Sequence, residues 1–261
     1  MKAIILAAGM GTRLEKYAKG LPKGMLRFNE KTLLETQIQT LRESGIDEII
    51  VVKGYAQEMI NFSGIKYFIN EDYKNTNMVA SLMTAESELG GEILVCYSDI
   101  IYEKRLIEKL KKSPFEVSVL VDDNWKAYWK ARFEKLEEDI ESLNYDEEDN
   151  IFDIGNPRCR IEECKSRYIG LIKFSGEGIK RLKEIFYKNK KKYWDNEKPW
   201  LRSKSFKKAY MTCMIQEMIK HNSEVKVIHI NNGWLEFDTT QDYEKTNLWL
   251  KEGSLGRFFN F

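Results

Sequence analysis

The chain opens with a short apolar run that ends in a glycine-rich turn. Residues 2–6 are followed by Ala7, Ala8, Gly9 and Gly11. A short apolar run bounded by glycines is typical of a buried parallel strand. A glycine turn that leads into a helix presents free backbone N–H groups to an anion. The start of the sequence therefore favours an α/β fold with an anion site at the end of its first strand.

Apolar runs and helical periodicity alternate along the rest of the chain. Because such alternation produces parallel sheets covered on both faces, we predict an α/β fold with a doubly wound, mostly parallel sheet. The simplest organisation is a single domain over residues 1–261, elaborated at about 122–210. The predicted strands are 2–6, 49–52, 67–69, 92–97, 117–121, 168–174 and 225–230, and the predicted helices are 33–44, 57–62, 77–89, 105–112, 178–187 and 211–220.

Two stretches of the elaboration are less regular. Residues 125–150 are rich in charged and aromatic side chains, and their periodicity predicts no element. Residues 188–208 are basic and aromatic, and we interpret them as a candidate mobile lid.

Composition narrows the classes of function. A formal net charge of +1 argues against a general nucleic-acid binder, since such proteins usually carry a basic excess. No window approaches the roughly 18 apolar residues of a membrane span, and the apolar start is too short for a secretory signal. We therefore expect a cytoplasmic protein with no membrane partner. Its four cysteines are expected to be reduced thiols.

The glycine turn carries further residues that suit a nucleoside triphosphate. Arg13 and Lys23 supply positive charge, and the small side chains of Ala7 and Ala8 leave room for a base or ribose. The turn lacks the Gly-Lys-Ser/Thr of a Walker A loop, and Leu14 replaces the third glycine of a dinucleotide fingerprint. Structural glycines alone would explain a bare turn, so the specificity of the signal comes from the two cations.

These residues resemble a known family signature. Leu-Ala-Ala-Gly-x-Gly-Thr-Arg-Leu at 6–14 with Pro-Lys at 22–23 is similar to the signature of the sugar-phosphate nucleotidyltransferases. The resemblance covers residues 1 to about 245 and implies a Rossmann-like nucleotidyltransferase fold with a mixed sheet. Residues 188–208 depart from the family, because they are longer and more basic there. Residues 70–73 and 76–82 resemble the cytidylyltransferases that act on phosphocholine, 2-aminoethylphosphonate and phosphoglutamine. Four more segments strengthen the likeness to the last two of these: 97–100, 123–133, 168–171 and 233–238.

The resemblance implies a site for CTP. Arg13, Lys23 and Asp99 are the predicted catalytic residues, and Lys23 is expected to stabilise the charge that develops in the transition state. The alternatives are that Lys23 is a solvated surface lysine and that Asn77 only caps a helix. The residues expected to bind the nucleotide are Leu6, Ala7, Ala8, Gly9, Met10, Gly11, Thr12, Arg13, Lys23, Gly54, Tyr55, Asn77, Ser81 and Ser98.

Asp99 and Asp238 are the predicted ligands of a Mg²⁺ cofactor. Asp99 follows an apolar strand, which places its carboxylate at the edge where α/β sheets form ligand sites. Carboxylate oxygens suit Mg²⁺, and Glu236 is a candidate third ligand through water. The alternative is that Asp99 caps a turn and Asp238 caps the helix near Gln241.

The predicted acceptor pocket is aromatic. Trp125, Trp129, Tyr168 and Trp234 form its walls, since aromatic clusters hold ammonium groups by cation–π contact. Arg132 is the predicted clamp for a phosphate or phosphonate, which a guanidinium binds through two hydrogen bonds. The alternatives are that the aromatic residues belong to the core and that Arg132 forms a surface salt bridge.

Taken together, these residues predict a Mg²⁺-dependent cytidylyltransferase that transfers CMP from CTP to a small phosphorylated acceptor and releases pyrophosphate. The basic runs 188–192 and 202–208 favour an acceptor with an extra negative charge. Phosphoglutamine is therefore preferred over 2-aminoethylphosphonate, and phosphocholine is third. The alternatives are a uridylyl- or thymidylyltransferase for a sugar 1-phosphate and a non-catalytic nucleotide-sensing module. His221 and His229 show no neighbouring carboxylate pattern and are expected to be structural.

Overall fold

The computed structural model describes residues 1–261, apart from the side chain of Glu15. Among the described residues, no helix combines the length and the apolar character needed to cross a lipid bilayer. The strands are β1 (Lys2–Ala7), β2 (Arg27–Phe28), β3 (Lys31–Thr32), β4 (Ile49–Lys53), β5 (Lys66–Ile69), β6 (Glu92–Tyr97), β7 (Ile100–Tyr102), β8 (Val117–Asp122), β9 (Leu143–Tyr145), β10 (Ile151–Ile154), β11 (Arg167–Ser175), β12 (Lys226–Ile230) and β13 (Trp234–Glu236). The helices are α1 (Glu15–Ala18), α2 (Leu33–Glu43), α3 (Met78–Thr84), α4 (Lys104–Lys111), α5 (Trp125–Arg132), α6 (Gly176–Tyr193), α7 (Met211–Lys220) and α8 (Thr240–Lys251).

The main sheet contains seven strands in the order β12-β8-β11-β6-β1-β4-β5. Strand β11 is antiparallel to its neighbours β6 and β8, and the other pairs are parallel. The predicted α/β fold with a mostly parallel, mixed sheet is therefore confirmed. Each predicted strand overlaps an observed one.

Helices cover both faces of this sheet. Along β1, Ala3 and Ile5 belong to one core and Ile4 and Leu6 to the other, because successive side chains of a strand point to opposite faces. Helices α2, α4, α5 and α8 pack on the first face, and α3, α6 and α7 pack on the second. Burial on both faces explains why β1 reads as a continuous apolar run.

The ends of α2 follow standard capping chemistry. The Thr32 hydroxyl accepts a hydrogen bond from the backbone N–H of Glu35 at 3.1 Å, and the Glu35 carboxylate accepts one from the backbone N–H of Thr32 at 2.6 Å. These two bonds satisfy backbone donors that have no partner within the helix. Gly45 follows the last turn with a φ of 71°, a conformation that favours glycine.

Two predicted helices are shorter in the structure. The helix predicted over 77–89 ends at Thr84 and continues as a 3₁₀ turn at Glu86–Glu88. After this turn the chain passes through Gly91, with a φ of 70°, and enters β6. The helix predicted over 57–62 is a single 3₁₀ turn at Gln57–Met59.

The elaboration contains elements that the sequence pattern does not predict. Helix α5 and the antiparallel pair β9–β10 lie within the stretch 125–154. Helix α6 continues to Tyr193, so the basic residues 188–192 lie on its last turns. Further along the candidate lid, Trp200 and Phe206 are buried with their ring centroids 4.8 Å apart. Aromatic packing therefore anchors this part of the segment to the core.

Candidate active site

A cleft lies at the carboxyl ends of β1 and β6, which are neighbours in the sheet. Strand β1 leads into the glycine turn, and β6 leads into Ser98 and Asp99. Because the carboxyl ends of parallel strands share one edge, segments far apart in sequence meet there. Residues predicted to bind the nucleotide or a metal that line this cleft are Leu6, Ala8, Gly9, Gly11, Thr12, Arg13, Lys23, Asn77, Ser81, Ser98, Asp99 and Asp238.

Four residues predicted to contact the nucleotide do not line the cleft. Ala7 is buried in the opposite core of β1, and the side chain of Met10 points to solvent with 42% of the residue exposed. Gly54 and Tyr55 lie behind the turn, where the backbone N–H of Tyr55 donates to the carbonyl of Ala8 at 3.2 Å. The structure therefore does not place these four in the cleft wall: Gly54 and Tyr55 support the turn from behind, Ala7 faces the core and Met10 faces solvent.

Gly11 brings the turn close to Lys23. Its φ is 62°, and a Cβ atom added there would lie 3.2 Å from the Cβ of Lys23. A side chain at this position would therefore be strained by the backbone and crowded by its neighbour. The glycine allows the anion turn and the Pro-Lys segment to share one wall of the cleft.

Lys23 connects the two predicted metal ligands. Its Nζ atom donates to Asp99 Oδ2 at 2.7 Å and also contacts Asp238 Oδ1. Arg13 Nη1 contacts the other oxygen of Asp238 at 2.5 Å. Two carboxylates and two cations that are distant in sequence thus meet in one cleft. Lys23 is largely buried, so the reading of a solvated surface lysine is wrong.

The charges at this centre stabilise one another. Burial would lower the pKa of the Lys23 ammonium, but Asp99 and Asp238 raise it above its usual value. Burial would raise the pKa of the Asp238 carboxyl, but Lys23 and Arg13 lower it below its usual value. At neutral pH both groups are therefore charged. Asp99 and Asp238 are thus two ionised carboxylates in one cleft. Carboxylate oxygens are a donor set that suits a divalent cation such as Mg²⁺.

Asp238 does not cap the helix that follows it. Thr239 is the N-cap of α8, and its hydroxyl accepts from the backbone N–H of Asp242 at 3.1 Å. The carboxylate of Asp238 is therefore free to face Lys23 and Arg13. This arrangement excludes the alternative in which Asp238 is only a capping residue.

A polar network forms the side of the cleft next to α3. The amide of Asn70 donates to the hydroxyls of Thr76 and Ser81, both at 2.9 Å. Asn77 accepts from the backbone N–H of Met78 at 2.9 Å and is the N-cap of α3. Asn77 therefore caps the helix and also lines the cleft.

A second cavity adjoins the first. The two share Arg13, Met78, Tyr97, Asp99, Tyr210 and Asp238. The second cavity is also lined by Tyr168, as predicted for the acceptor site, and by Asp139, Glu141, Arg167, Arg202, Thr212 and Glu236. A molecule in this cavity would therefore lie beside a nucleotide in the cleft.

The other four predicted acceptor residues lie in the core. Trp125, Trp129 and Trp234 are each at most 1% exposed. Arg132 is 1% exposed, and its guanidinium donates to Asp242 at 2.9 and 3.0 Å and to Glu236 at 2.5 Å. The prediction that these four line the acceptor pocket is therefore wrong. The rings of Tyr128, Trp129 and Phe133 pack against the Arg132 guanidinium. Because all three of its nitrogens donate to Asp242 and Glu236, Arg132 is neutralised within the protein.

Sequence reasoning did not assign Arg167, Glu141 or Asp139 to the site. Arg167 lies one position before Tyr168, at the start of β11, and only the direction of that strand brings it to the second cavity. Arg202 belongs to the basic run 202–208, which the sequence did single out. Glu141 lies in the stretch without periodicity, so no pattern marked it.

His229 has carboxylate partners that the sequence does not suggest. Its Nδ1 atom lies 2.9 Å from Asp123, and its Nε2 atom lies 3.0 Å from Asp149. Burial would lower the pKa of this imidazole, but the two carboxylates raise it above its usual value. His229 and its two carboxylate partners lie outside the cleft and the second cavity, which agrees with a structural role.

A doubly wound sheet whose first turn faces paired carboxylates and cations defines a nucleotidyltransferase. The family model described as "MobA-like NTP transferase domain" matches residues 3–148. This match covers more than half of the chain, and the protein belongs to that family.

Similar proteins support the same class. The CTP:phosphoglutamine cytidylyltransferase of Campylobacter jejuni is 32% identical over 257 residues, which cover 94% of this chain and 98% of that protein. The structure of the CTP:phosphocholine cytidylyltransferase from Streptococcus pneumoniae matches with a TM-score of 0.70 at 23% identity, over 95% of this chain and 98% of the other. The inositol-1-phosphate CTP transferase of T. maritima matches with a TM-score of 0.73 at 17% identity, over 100% and 98%. The two structural matches establish the shared fold.

Proposed function

We propose that this enzyme transfers CMP from CTP to a small phosphorylated acceptor, with phosphoglutamine preferred, and releases pyrophosphate in a Mg²⁺-dependent reaction. The observation that carries the proposal is the position of Lys23 between Asp99 and Asp238, beside the glycine turn. The near full-length similarity to the C. jejuni enzyme supports CTP and phosphoglutamine as substrates.

The wall formed by α3 supports a cytosine ring. Because the Ser81 hydroxyl accepts from Asn70, its own hydrogen is available to an acceptor atom in the cleft. Cytosine offers its O2 carbonyl and its unprotonated N3 atom as acceptors to such a donor, whereas N3 of uracil carries a hydrogen and cannot accept. A site that hydrogen-bonds one base discriminates against another that leaves a buried group without a partner.

In the proposed reaction an oxygen of the acceptor phosphate attacks the α-phosphorus of CTP, and the bond to the pyrophosphate oxygen breaks. The acceptor oxygen is anionic at neutral pH and needs no base. Arg13 and Lys23 orient the triphosphate and neutralise the charge that moves onto pyrophosphate. Asp99 and Asp238 would hold Mg²⁺, which when bound supplies positive charge to the phosphates.

The order of acceptors follows from charge. Phosphoglutamine carries a phosphate, an ammonium and a carboxylate, whereas 2-aminoethylphosphonate and phosphocholine lack the carboxylate. The second cavity contains Arg167 and Arg202 as well as Glu141. Two cations suit two anionic groups, so this cavity favours phosphoglutamine, with 2-aminoethylphosphonate second and phosphocholine third.

The test is a matrix of nucleotides and acceptors. Each of five nucleotides is combined with each of the three acceptors and with glucose 1-phosphate: CTP, UTP, ATP, GTP and dTTP. Every combination is assayed once in MgCl₂ and once in EDTA. Pyrophosphate release and the mass of the product are measured. We expect the CMP adduct of phosphoglutamine as the main product, formed only with MgCl₂. Faster transfer from UTP or dTTP to glucose 1-phosphate would contradict the proposal, and no pyrophosphate release from any pair would favour a sensing module.

A further inference from the structure

The cavity next to the nucleotide cleft contains a cation whose hydrogen bonds are incomplete. Arg167 is 9% exposed, and among the described residues its Nε atom has no hydrogen-bond partner. Its nearest carboxylate contact is Asp139, at 3.9 Å from Nη2. A buried donor without a partner costs free energy. The same guanidinium stacks on Trp129, with its Cζ atom 4.4 Å from the ring centroid.

Arg132 offers a direct comparison, because it contacts the same aromatic ring. Its Cζ atom is 4.5 Å from the centroid of Trp129. All three of its nitrogens donate to the carboxylates of Asp242 and Glu236. Arg132 is therefore satisfied within the protein, whereas Arg167 has hydrogen-bonding capacity left for an anion.

The topology places Arg167 at the reacting end of the cavity. Strand β11 is antiparallel to β6, with Leu171 opposite Cys96. The residues before Leu171 therefore extend past the carboxyl end of β6, where Asp99 lies. Tyr168, also at this end of β11, is 5% exposed, and its hydroxyl has no hydrogen-bond partner among the described residues. Two residues that line this cavity thus each carry a buried donor without a partner.

A second arginine enters the cavity from a different segment. Arg202 Nη1 donates to the carbonyl of Ile154, and Nη2 donates to Asp153. These bonds fix the guanidinium on β10, and the side chain still lines the cavity. Glu141 also lines the cavity, and the charges of both arginines act on its carboxylate. The cavity therefore presents two arginines together with a carboxylate that is not a proposed metal ligand.

We propose that this cavity selects acceptors that carry a carboxylate in addition to their phosphate, with Arg167 binding the phosphate and Arg202 binding the carboxylate. Glu141 is then placed to bind the ammonium of a phosphorylated α-amino acid derivative. This inference rests on the proposed function, and it assigns acceptor selectivity to residues distinct from the nucleotide cleft. A phosphonate or phosphocholine acceptor offers no carboxylate for Arg202 to bind.

The experiment compares two acceptors, phosphoglutamine and 2-aminoethylphosphonate, at saturating CTP. Each acceptor is assayed with the wild type and with three variants: Arg167→Gln, Arg202→Gln and Arg181→Gln. Arg181 is the matched control, because it lies on α6 with 56% of its side chain exposed. The KM for CTP is measured in each variant and reports on the nucleotide cleft and on folding.

We expect Arg202→Gln to lower the ratio of kcat/KM for phosphoglutamine to that for 2-aminoethylphosphonate by about 10- to 100-fold, the range for loss of one charge-assisted bond. Arg167→Gln lowers kcat/KM for both acceptors and preserves the ratio. The control changes neither value. An unchanged ratio in Arg202→Gln, or a wild type that prefers 2-aminoethylphosphonate, overturns this inference and leaves the cytidylyltransferase activity standing. A wild type that transfers CMP to no acceptor overturns the proposed function itself.

Discussion

The ammonium of Lys23 lies 2.7 Å from the carboxylate of Asp99, although 76 residues separate them in sequence. The same ammonium contacts Asp238, so one side chain neutralises part of the charge on both carboxylates. The ammonium and the two carboxylates therefore stabilise one another within the protein. Under the proposed function, Asp99 and Asp238 would hold Mg²⁺ and Lys23 would bind the phosphates.

The first prediction concerns Asp99. Asp99→Asn removes one charge from the proposed cation site and leaves the shape of the side chain almost unchanged. We expect pyrophosphate release to fall by about 100-fold or more, as for other losses of charge stabilisation at a reaction centre, with the melting temperature little changed. Asp195→Asn is the control, since the Asp195 side chain is 95% exposed. Near-normal turnover in Asp99→Asn would remove Asp99 from the reaction.

The second prediction concerns Arg132. Arg132→Met leaves Asp242 and Glu236 buried without their cation, which typically costs about 3–5 kcal/mol. Urea unfolding should show this loss. Arg181→Met, which removes an exposed pair with Glu184, should cost less than about 1 kcal/mol.

Where Arg132→Met still folds, its KM for CTP and for the acceptor should remain close to the wild-type values. A selective loss of acceptor binding with normal stability would instead restore Arg132 to the acceptor site.

The third prediction concerns pH and His229. Asp123 and Asp149 raise the pKa of this imidazole in the folded state, in spite of its partial burial. A raised pKa stabilises the fold fully below the unfolded value of about 6.5, and that stabilisation is lost as pH rises through the folded pKa. The stability difference between wild type and His229→Gln should therefore be largest in mildly acidic buffer and should shrink toward alkaline pH. Chemical unfolding across this range measures it, and a difference that grows with pH contradicts the assignment.

The fourth prediction concerns Gly54. A Cβ atom at this position would lie 2.8 Å from the carbonyl oxygen of Ala8 and 2.8 Å from the Cβ of Tyr73. Gly54→Ala should therefore displace the anion turn, cost about 1–3 kcal/mol of stability and lower kcat/KM for CTP. Gly90→Ala is the control, because a Cβ there meets nothing within 4 Å. Equal behaviour of the two variants would show that the turn tolerates movement at Gly54.

The nucleotide half of the site was predictable because its signals are local. Strand β1, the turn at Gly9 and Gly11 and the Pro-Lys segment are close in sequence, and their order alone brings them together. The strand before Asp99 is equally clear from its apolar run. Only residues on the far side of β1 or behind the turn, such as Ala7 and Gly54, were misplaced.

The acceptor half depends on tertiary structure that no local pattern contains. Whether Trp129 and Arg132 face a pocket or the core is decided by α8, which brings Asp242 from 110 residues away. Arg167 reaches the second cavity only because β11 is antiparallel to its neighbours β6 and β8. His229 meets Asp149 through the loop before β10, which lies in the stretch without periodicity.

Because β11 is antiparallel to its neighbours, residues late in the chain line the second cavity, whereas residues early in the chain line the nucleotide cleft. Most of the nucleotide cleft is built by residues before position 100, whereas the residues found only in the acceptor cavity lie within 139–236. The two cavities are thus lined largely by different parts of the chain. Exchanging residues that line only the second cavity, such as Arg167 and Arg202, for those of a related enzyme should redirect CMP to a different acceptor while the lining of the nucleotide cleft is kept.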